Sequence, residues 1–455
     1  MNNGAVMKKN LIFIAIAIPT CLLLAAFAYS LPPVHDKLAW RIDDLRSRIQ
    51  YAINPPDEAV FIPQGQVNPT PTLPTPSPSP TLLPPSPTSP GPSSTPASTS
   101  TPAPSSTPLP EVVTLDGVVY VDQHGRWNYC GPANLTMALK FWGWPGDRDD
   151  VAEIVKPGIL SDPSLDFIQR GKADKNVLPS ELANFVAEHT DLNVVVRSGG
   201  DIELIKRLIA AGFPVLIEKG YYEADYTGKI AWMGHYLFVT GYSDAAGNFI
   251  VQDAYLKPGK DMKSDYPTFI EGWRSFNYLF MVVYPPEREA EVYALLGPWA
   301  DPVWANQHAL DIANEEKDTL TGNDQFFAWF NKGSSHVNLT QYSDAAAAYD
   351  QAFQIYSTLG SDDAQRPYRM LWYQTGPYKA YYYSGRYQDT INLADTTLYD
   401  TIAEPTLEES LYWRGMARWA LGLSEEAIAD LRETVRLNPY FAPGLDMLAQ
   451  IGVSP

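Results

Sequence analysis

An almost uninterrupted apolar run from Leu11 to about Tyr29 opens the chain, and it differs in texture from everything that follows. At 1.5 Å per residue, roughly nineteen apolar residues are enough to cross a bilayer core. Lys8 and Lys9 precede the run and hold that end in the cytoplasm by the positive-inside tendency, so residues 1–30 read as a signal anchor with all later domains extracytoplasmic. The alternative is a signal peptide cleaved after Ala26-Phe27-Ala28, which would leave the rest secreted. Within residues 31–62, Leu38, Ile42, Leu45, Ile49 and Ile53 recur at spacings of three and four among charged residues, the signature of an amphipathic helix. Such a stem lies on the membrane, pairs with a second copy, or stands without a partner. Residues 63–111 hold a Pro/Ser/Thr tract, Pro69 to Pro110, with no apolar periodicity; it predicts a disordered linker. In extended form, about forty residues would reach roughly 120 Å.

Periodicity returns near Val112. Leu135, Met137, Ala138, Leu139, Phe141 and Trp142 predict a helix, as do Asp149 to Ile154, Pro179 to His189 and Ile202 to Ala211. Asn193 to Arg197, Pro214 to Glu218, Gly234 to Tyr242, Asn248 to Asp253 and Phe276 to Tyr284 read as strands, the third and fourth joined as a hairpin through Asp244-Ala245-Ala246-Gly247. Helices first and an antiparallel sheet later define an α+β domain over 112–286. A helical connector follows over 287–322.

From about Asn323 the pattern repeats. Trp329, Gly333, Tyr342, Ala345 and Tyr349 form one set; Gly385, Tyr387 and Ala394 a second; Leu411, Gly415, Gly422, Ala427, Leu431 and Pro439 a third. These sets, with Gly385-Arg386-Tyr387 and Leu437-Asn438-Pro439, resemble tetratricopeptide repeats, spread more widely than the usual ~34-residue period by an insertion at Gly360 to Arg366. Residues 323–455 are therefore expected to stack as an all-α domain. The resemblance implies a protein partner.

The balance of 33 basic and 52 acidic residues, net −19, excludes a phosphate-binding footprint, so no nucleic acid partner is expected. With 2 cysteines in all, one of them Cys21 in the apolar run, the outer part cannot form an internal disulfide. No pair of His or Cys has ligand-like spacing, so neither a metal nor a cofactor is expected.

The remaining cysteine carries the chemistry. In Trp127-Asn128-Tyr129-Cys130-Gly131-Pro132-Ala133, proline is favoured in the first helical turn, so Cys130 falls where unpaired N–H groups and the helix dipole favour thiolate. His235, in Gly234-His235-Tyr236, is the best imidazole to activate it, and Asp253 on the hairpin's second strand is placed to orient that ring. Read singly, the three residues also fit a buried small hydrophobe, a core histidine and a strand-end turn former.

Together, Cys-Gly-Pro-Ala opening a helix, Gly-His before an apolar strand and an Asp in the next strand resemble the papain-like cysteine peptidases related to the bacteriocin-processing (double-glycine) family, over Val112 to Pro285. The resemblance implies a Cys130-His235-Asp253 triad cleaving a peptide or protein substrate between helix and sheet. It also implies a glutamine about six residues before the nucleophile as oxyanion donor; that position holds His124 here, making Gln123 the candidate, and Ala254 stands where proline often follows the aspartate. Trp127, Tyr222 and Trp232, with Tyr221 and Tyr236 nearby, are candidates for a substrate groove, or for core packing. No Gly-x-x-x-x-Gly-Lys-Ser/Thr loop occurs, which sets the chain apart from the transporter-fused form of the family. The readings carried forward are a membrane-anchored extracytoplasmic cysteine peptidase, a catalytically silent peptide-binding module or assembly scaffold, and amide or acyl-transfer chemistry on cell-wall peptides.

Overall fold

The computed structural model describes residues 60–65, 108–126, 128–157, 175–224, 230–360, 366–367, 369–400 and 407–455. The expected anchor, most of the stem and Pro-rich tract, and Trp127 lie outside them. Among the described residues no helix is long and apolar enough to cross a membrane.

A seven-stranded antiparallel sheet organises the first half. Its strands are β1 (Val112–Thr114), β2 (Asn193–Arg197), β3 (Val215–Ala224), β4 (Ile230–Ser243), β5 (Asn248–Gln252), β6 (Met262–Asp265) and β7 (Phe280–Tyr284). They run in the order β2-β7-β3-β4-β5-β6, with β1 on the far part of β4. Consecutive apolar residues, such as Val215-Leu216-Ile217 and Leu237-Phe238-Val239, arise because both faces of the sheet are covered and alternate side chains enter different cores. Leu216, Phe238, Met281 and Val283 meet α1 (Cys130–Phe141), α2 (Arg148–Val155) and α3 (Pro179–His189). Val215, Ile217, Leu237, Val239 and Val282 meet α4 (Ile202–Ala210), α5 (Tyr266–Arg274) and α6 (Glu289–Leu296).

The expected hairpin is present, β4 pairing with β5 through Phe238 opposite Gln252 and Val239 opposite Val251. The expected strand from Phe276 begins later: Phe276 to Leu279 form tight turns after α5, and pairing starts at Phe280. The chain also inserts β6 and α5 between β5 and β7, two elements whose mixed polar sequence carries no clear period.

Downstream, α7 (Pro302–Thr319) occupies the connector, and α8 (Gly322–Asn338) with α9 (Tyr342–Thr358) forms the first helical pair. A short α10 (Met370–Tyr373) precedes α11 (Gly376–Tyr383) and α12 (Tyr387–Asp395); α13 (Glu408–Ala420), α14 (Ser424–Leu437) and α15 (Ala442–Gln450) end the chain. Close helix packing explains one repeat glycine directly: a Cβ at Gly333 would lie 2.6 Å from the Tyr349 ring.

The repeats pack against the sheet domain. Trp232 of β4 stacks on Phe276, tilts against Phe327 and meets Tyr373 edge-on, with ring centroids 5.6–5.9 Å apart. Polar contacts border this seam: Asn277 Nδ2 donates to Ser335 Oγ at 2.9 Å, and Gln374 Nε2 to the Ser275 carbonyl at 2.9 Å. A buried cluster joins the two parts a second time, with Lys175 held between Glu181 and Glu408, and Asn438 Nδ2 donating to Glu408 at 2.8 Å.

Candidate active site

Helix α1 begins at Cys130 itself, so the sulfur stands at the positive end of its dipole. Pro132 lies in the first turn, where the missing N–H removes no helical bond. Asn134 then fastens this helix end to the sheet: it is fully buried, and its Nδ2 donates to the Cys130 carbonyl at 2.9 Å and to the Tyr236 carbonyl at 3.0 Å. The bridge runs from the backbone of the nucleophile candidate to the residue beside His235. A polar residue inside an otherwise apolar helical run was the signal for it, and sequence reasoning passed over it.

His235 lies on β4, 3% exposed. Its Nε2 is 2.9 Å from Asp253 Oδ1, just beyond the end of β5. The same aspartate oxygen accepts the backbone N–H groups of Tyr255 at 2.8 Å and Leu256 at 2.9 Å, which fixes the carboxylate before it meets the ring. The ring and the Cys130 side chain also act on each other electrostatically, each favouring the other's charged form. The three residues singled out from the sequence are thus brought together.

Their electrostatics follow from that arrangement. Burial drives the His235 pKa down, but the Asp253 charge and hydrogen bond, joined by the contact with Cys130, reverse this and raise it to about 10. Burial raises the Asp253 pKa, and the histidine with two backbone N–H groups outweighs it, to about 2. Burial likewise disfavours the Cys130 thiolate, yet the His235 hydrogen bond and charge, the Tyr236 backbone and the Lys156 ammonium together lower its pKa. The arrangement favours a thiolate beside an imidazolium.

The oxyanion candidates separate clearly. His124 is an exposed loop residue, its side chain near Asp122 and its ring 6.2 Å from that of Tyr255. Gln123 is half-buried; its backbone N–H donates to the Ala254 carbonyl at 2.8 Å, and its side-chain Oε1 is buried with no hydrogen-bond partner. That ties Gln123 to the segment just after Asp253.

Of the groove candidates, Trp127 lies outside the described residues, and Trp232 and Tyr222 are placed differently from each other. Trp232, 1% exposed, is locked in the seam with the repeats, because aromatic area on that part of β4 is covered by Phe276, Phe327 and Tyr373. Tyr222 is 41% exposed, and its hydroxyl accepts a hydrogen bond from Asn323 Nδ2 at 2.8 Å. Tyr221 and Tyr255 instead crowd the histidine, with ring centroids 5.3 and 6.4 Å from the imidazole.

Two further residues escaped sequence reasoning. Tyr373, of α10 in the helical half, closes over the strand that carries the histidine: a Cβ at Gly234 would fall 2.8 Å from its ring. This is why glycine precedes His235. Glu218 of β3, opposite Tyr236 and 2% exposed, is a buried carboxyl whose pKa is pushed well above the usual range by burial and by the nearby Cys130 charge. A glutamate amid the apolar letters of a strand marked it.

Residues 115–281 match the Peptidase_C39 like family, and residues 328–359 and 408–441 match the tetratricopeptide repeat. Among solved structures, one described as a C39-like peptidase from Bacillus anthracis shares 18% identity, with a TM-score of 0.31, over 38% of this chain and 98% of that one. Xylellain, a cysteine protease from Xylella fastidiosa, shares 15% identity, with a TM-score of 0.27, over 39% and 87%. No curated protein matches the chain.

Proposed function

We propose that this chain, which carries a Peptidase_C39-like domain followed by tetratricopeptide repeats, is a membrane-anchored extracytoplasmic cysteine peptidase. The observation that supports catalysis most directly is His235 placed between a backbone-braced Asp253 and a cysteine at a helix start. The Cys130 thiolate attacks the scissile carbonyl, and the C–S bond forms as the carbonyl electrons move to oxygen. The Cys130 backbone N–H and the Gln123 amide are the candidate donors to that oxyanion. His235, its Nε2 held by Asp253, delivers the proton from Nδ1 to the departing amine; the same nitrogen then takes a proton from the water that hydrolyses the thioester.

The test is labelling of Cys130 by an electrophilic peptide at neutral pH, lost in Cys130→Ser, with mass analysis of products separating hydrolysis from transfer to another amine. A second reading, a silent peptide-binding module, draws support from the depth of the centre, with Cys130 and His235 both under 10% exposed below a tyrosine-rich cover. It would be preferred if the folded chain bound peptides but Cys130 resisted the electrophile. Localisation rests on the N-terminal run: carbonate-washed membranes should retain the full chain, whereas a cleaved signal would release it with a new terminus near Tyr29.

A further inference from the structure

A short segment far from the catalytic candidates behaves as a bound peptide. Val60 to Gly65 lies at the end of the stem, before the Pro-rich tract, and packs on the repeats. Phe61 is 3% exposed, its ring edge-on to Phe353 of α9 at 4.9 Å and tilted against Tyr381 of α11 at 5.9 Å. The backbone N–H groups of Gln64 and Gly65 both donate to Asp389 of α12, to Oδ1 at 2.7 Å and Oδ2 at 3.0 Å. Asp389 is itself 1% exposed and held from behind by Arg386 at 2.7 Å. Gly65 takes φ +72°, a backbone region glycine enters freely. Ile62, between the anchors, points to solvent at 66% exposure.

From these contacts we infer that the repeats carry a peptide site reading Phe-x-Pro-x-Gly, and that the chain's own Phe61-Ile62-Pro63-Gln64-Gly65 occupies it. An aromatic anchor in a pocket supplies affinity. A carboxylate on two successive N–H groups then fixes direction and register, and it requires a non-proline residue followed by one that tolerates positive φ. Proline at the third place presets the backbone and lowers the ordering cost.

The far end of the tract is also tied down. Tyr242 donates its hydroxyl proton to the Pro110 carbonyl at 2.8 Å, and Val112–Thr114 pair with β4. Segments on both sides of the tract are thus docked on the folded body, while residues 66–107 between them lie outside the described residues. Val60 to Gly65 are latched to the repeats, and drawing this segment away from the body requires the latch to open. A partner peptide of the same pattern would compete with the latch. None of this depends on chemistry at Cys130.

The experiment uses the full chain in detergent with a site-specific protease sequence inserted after Ser94, inside the tract. After the cut, the N-terminal piece should stay with the body on size exclusion. Phe61→Ala and Asp389→Asn should each release it, weakening retention about thirty-fold, as loss of an interfacial anchor does. Added Val-Phe-Ile-Pro-Gln-Gly peptide should displace the piece, and the same peptide with alanine for phenylalanine should not. Release of the piece from the cut chain without any substitution, or its retention in Phe61→Ala, would overturn the proposal. Because Asp389→Asn also touches Arg386, Gly65→Val serves as the variant that leaves the repeats intact; it should weaken retention with unchanged thermal unfolding of the body.

Discussion

Arg386 in the repeats and His235 in the sheet domain are both buried side chains held by aspartate, at 6% and 3% exposure, yet their surroundings leave them different freedom. Arg386 is closed on two sides, Asp350 of α9 taking its fork at 2.7 and 2.8 Å and Asp389 of α12 taking the rest. Arg414 repeats the device one pair later, between Asp395 and Asp430, with Arg418 added on Asp430. Both arginines join successive helical pairs, and each is surrounded by carboxylate. His235 has a carboxylate on one nitrogen, and the Cys130 side chain is the other group whose charge acts on its ring. A closed charge network fixes helix register, whereas a pair left open toward a thiol can exchange a proton with it.

That contrast breaks most readily through two substitutions. Cys130→Ala should lower peptide hydrolysis by about 10⁴-fold or more, while the unfolding midpoint moves little, because a small side chain is exchanged for a smaller one. Arg414→Met should do the reverse. Stranding Asp430, 4% exposed, without its main partner should cost about 3–5 kcal/mol, with the labelling rate per folded molecule unchanged. Denaturant unfolding beside active-site labelling separates the two, and equal stability losses would erase the distinction.

The centre's titration sharpens the same point. Asp253, lowered from 3.8 to about 2, contributes stability that is present above 3.8 and lost as pH falls toward 2. His235, raised from 6.5 to about 10, contributes stability that is full below 6.5 and lost as pH rises through 10. Peptide hydrolysis, which needs the His235 proton for the departing amine, should therefore fall on the alkaline side only near pH 10, and Asp253→Asn should bring that limb down.

Why these residues were legible, and others not, follows from sequence distance. His235 and Asp253 sit on adjacent strands of one hairpin, where turn residues and alternation fix who faces whom. Cys130 declared itself through the Gly-Pro step that starts its helix. Trp232 and Tyr373 are different: their neighbours come from the repeats, and an aromatic residue that packs on another domain has the same local pattern as one that lines a groove. The middle helical pair, Gly376–Asp395, was read from Gly385-Arg386-Tyr387, although the repeat match covers only the flanking pairs. Phe61 gave no signal, because six residues between a stem and a proline tract have no period, and only the pocket they enter gives them meaning.

The seam between the two regions offers a smaller perturbation. Gly234→Ala drives a methyl toward Tyr373 and Phe276, 2.7–2.8 Å away, and overpacking of this kind costs about 1–3 kcal/mol. Since the strained residue is next to His235, the labelling rate of Cys130 should drop as well, and Tyr373→Ala in the same chain should restore part of both. Recovery of stability without recovery of labelling would mean that the repeats support the sheet but not the centre.

Glu218 gives the gentlest test, because its expected effect is a slope and not a collapse. A carboxyl whose pKa is raised on folding binds its proton more tightly in the native state, so stability falls as pH rises from its ordinary 4.5 toward the raised value. One such proton is worth about 1.4 kcal/mol for every pH unit in that window. Glu218→Gln keeps the shape and removes the proton, so the variant's stability should decline less steeply than the parent's from pH 5 upward. The Cys130 labelling profile should shift toward lower pH as well, since a carboxyl that ionises beside the sulfur opposes the thiolate. Parallel stability curves for the two proteins would mean that Glu218 already ionises in the native state, with its charge met by groups other than those that now surround it.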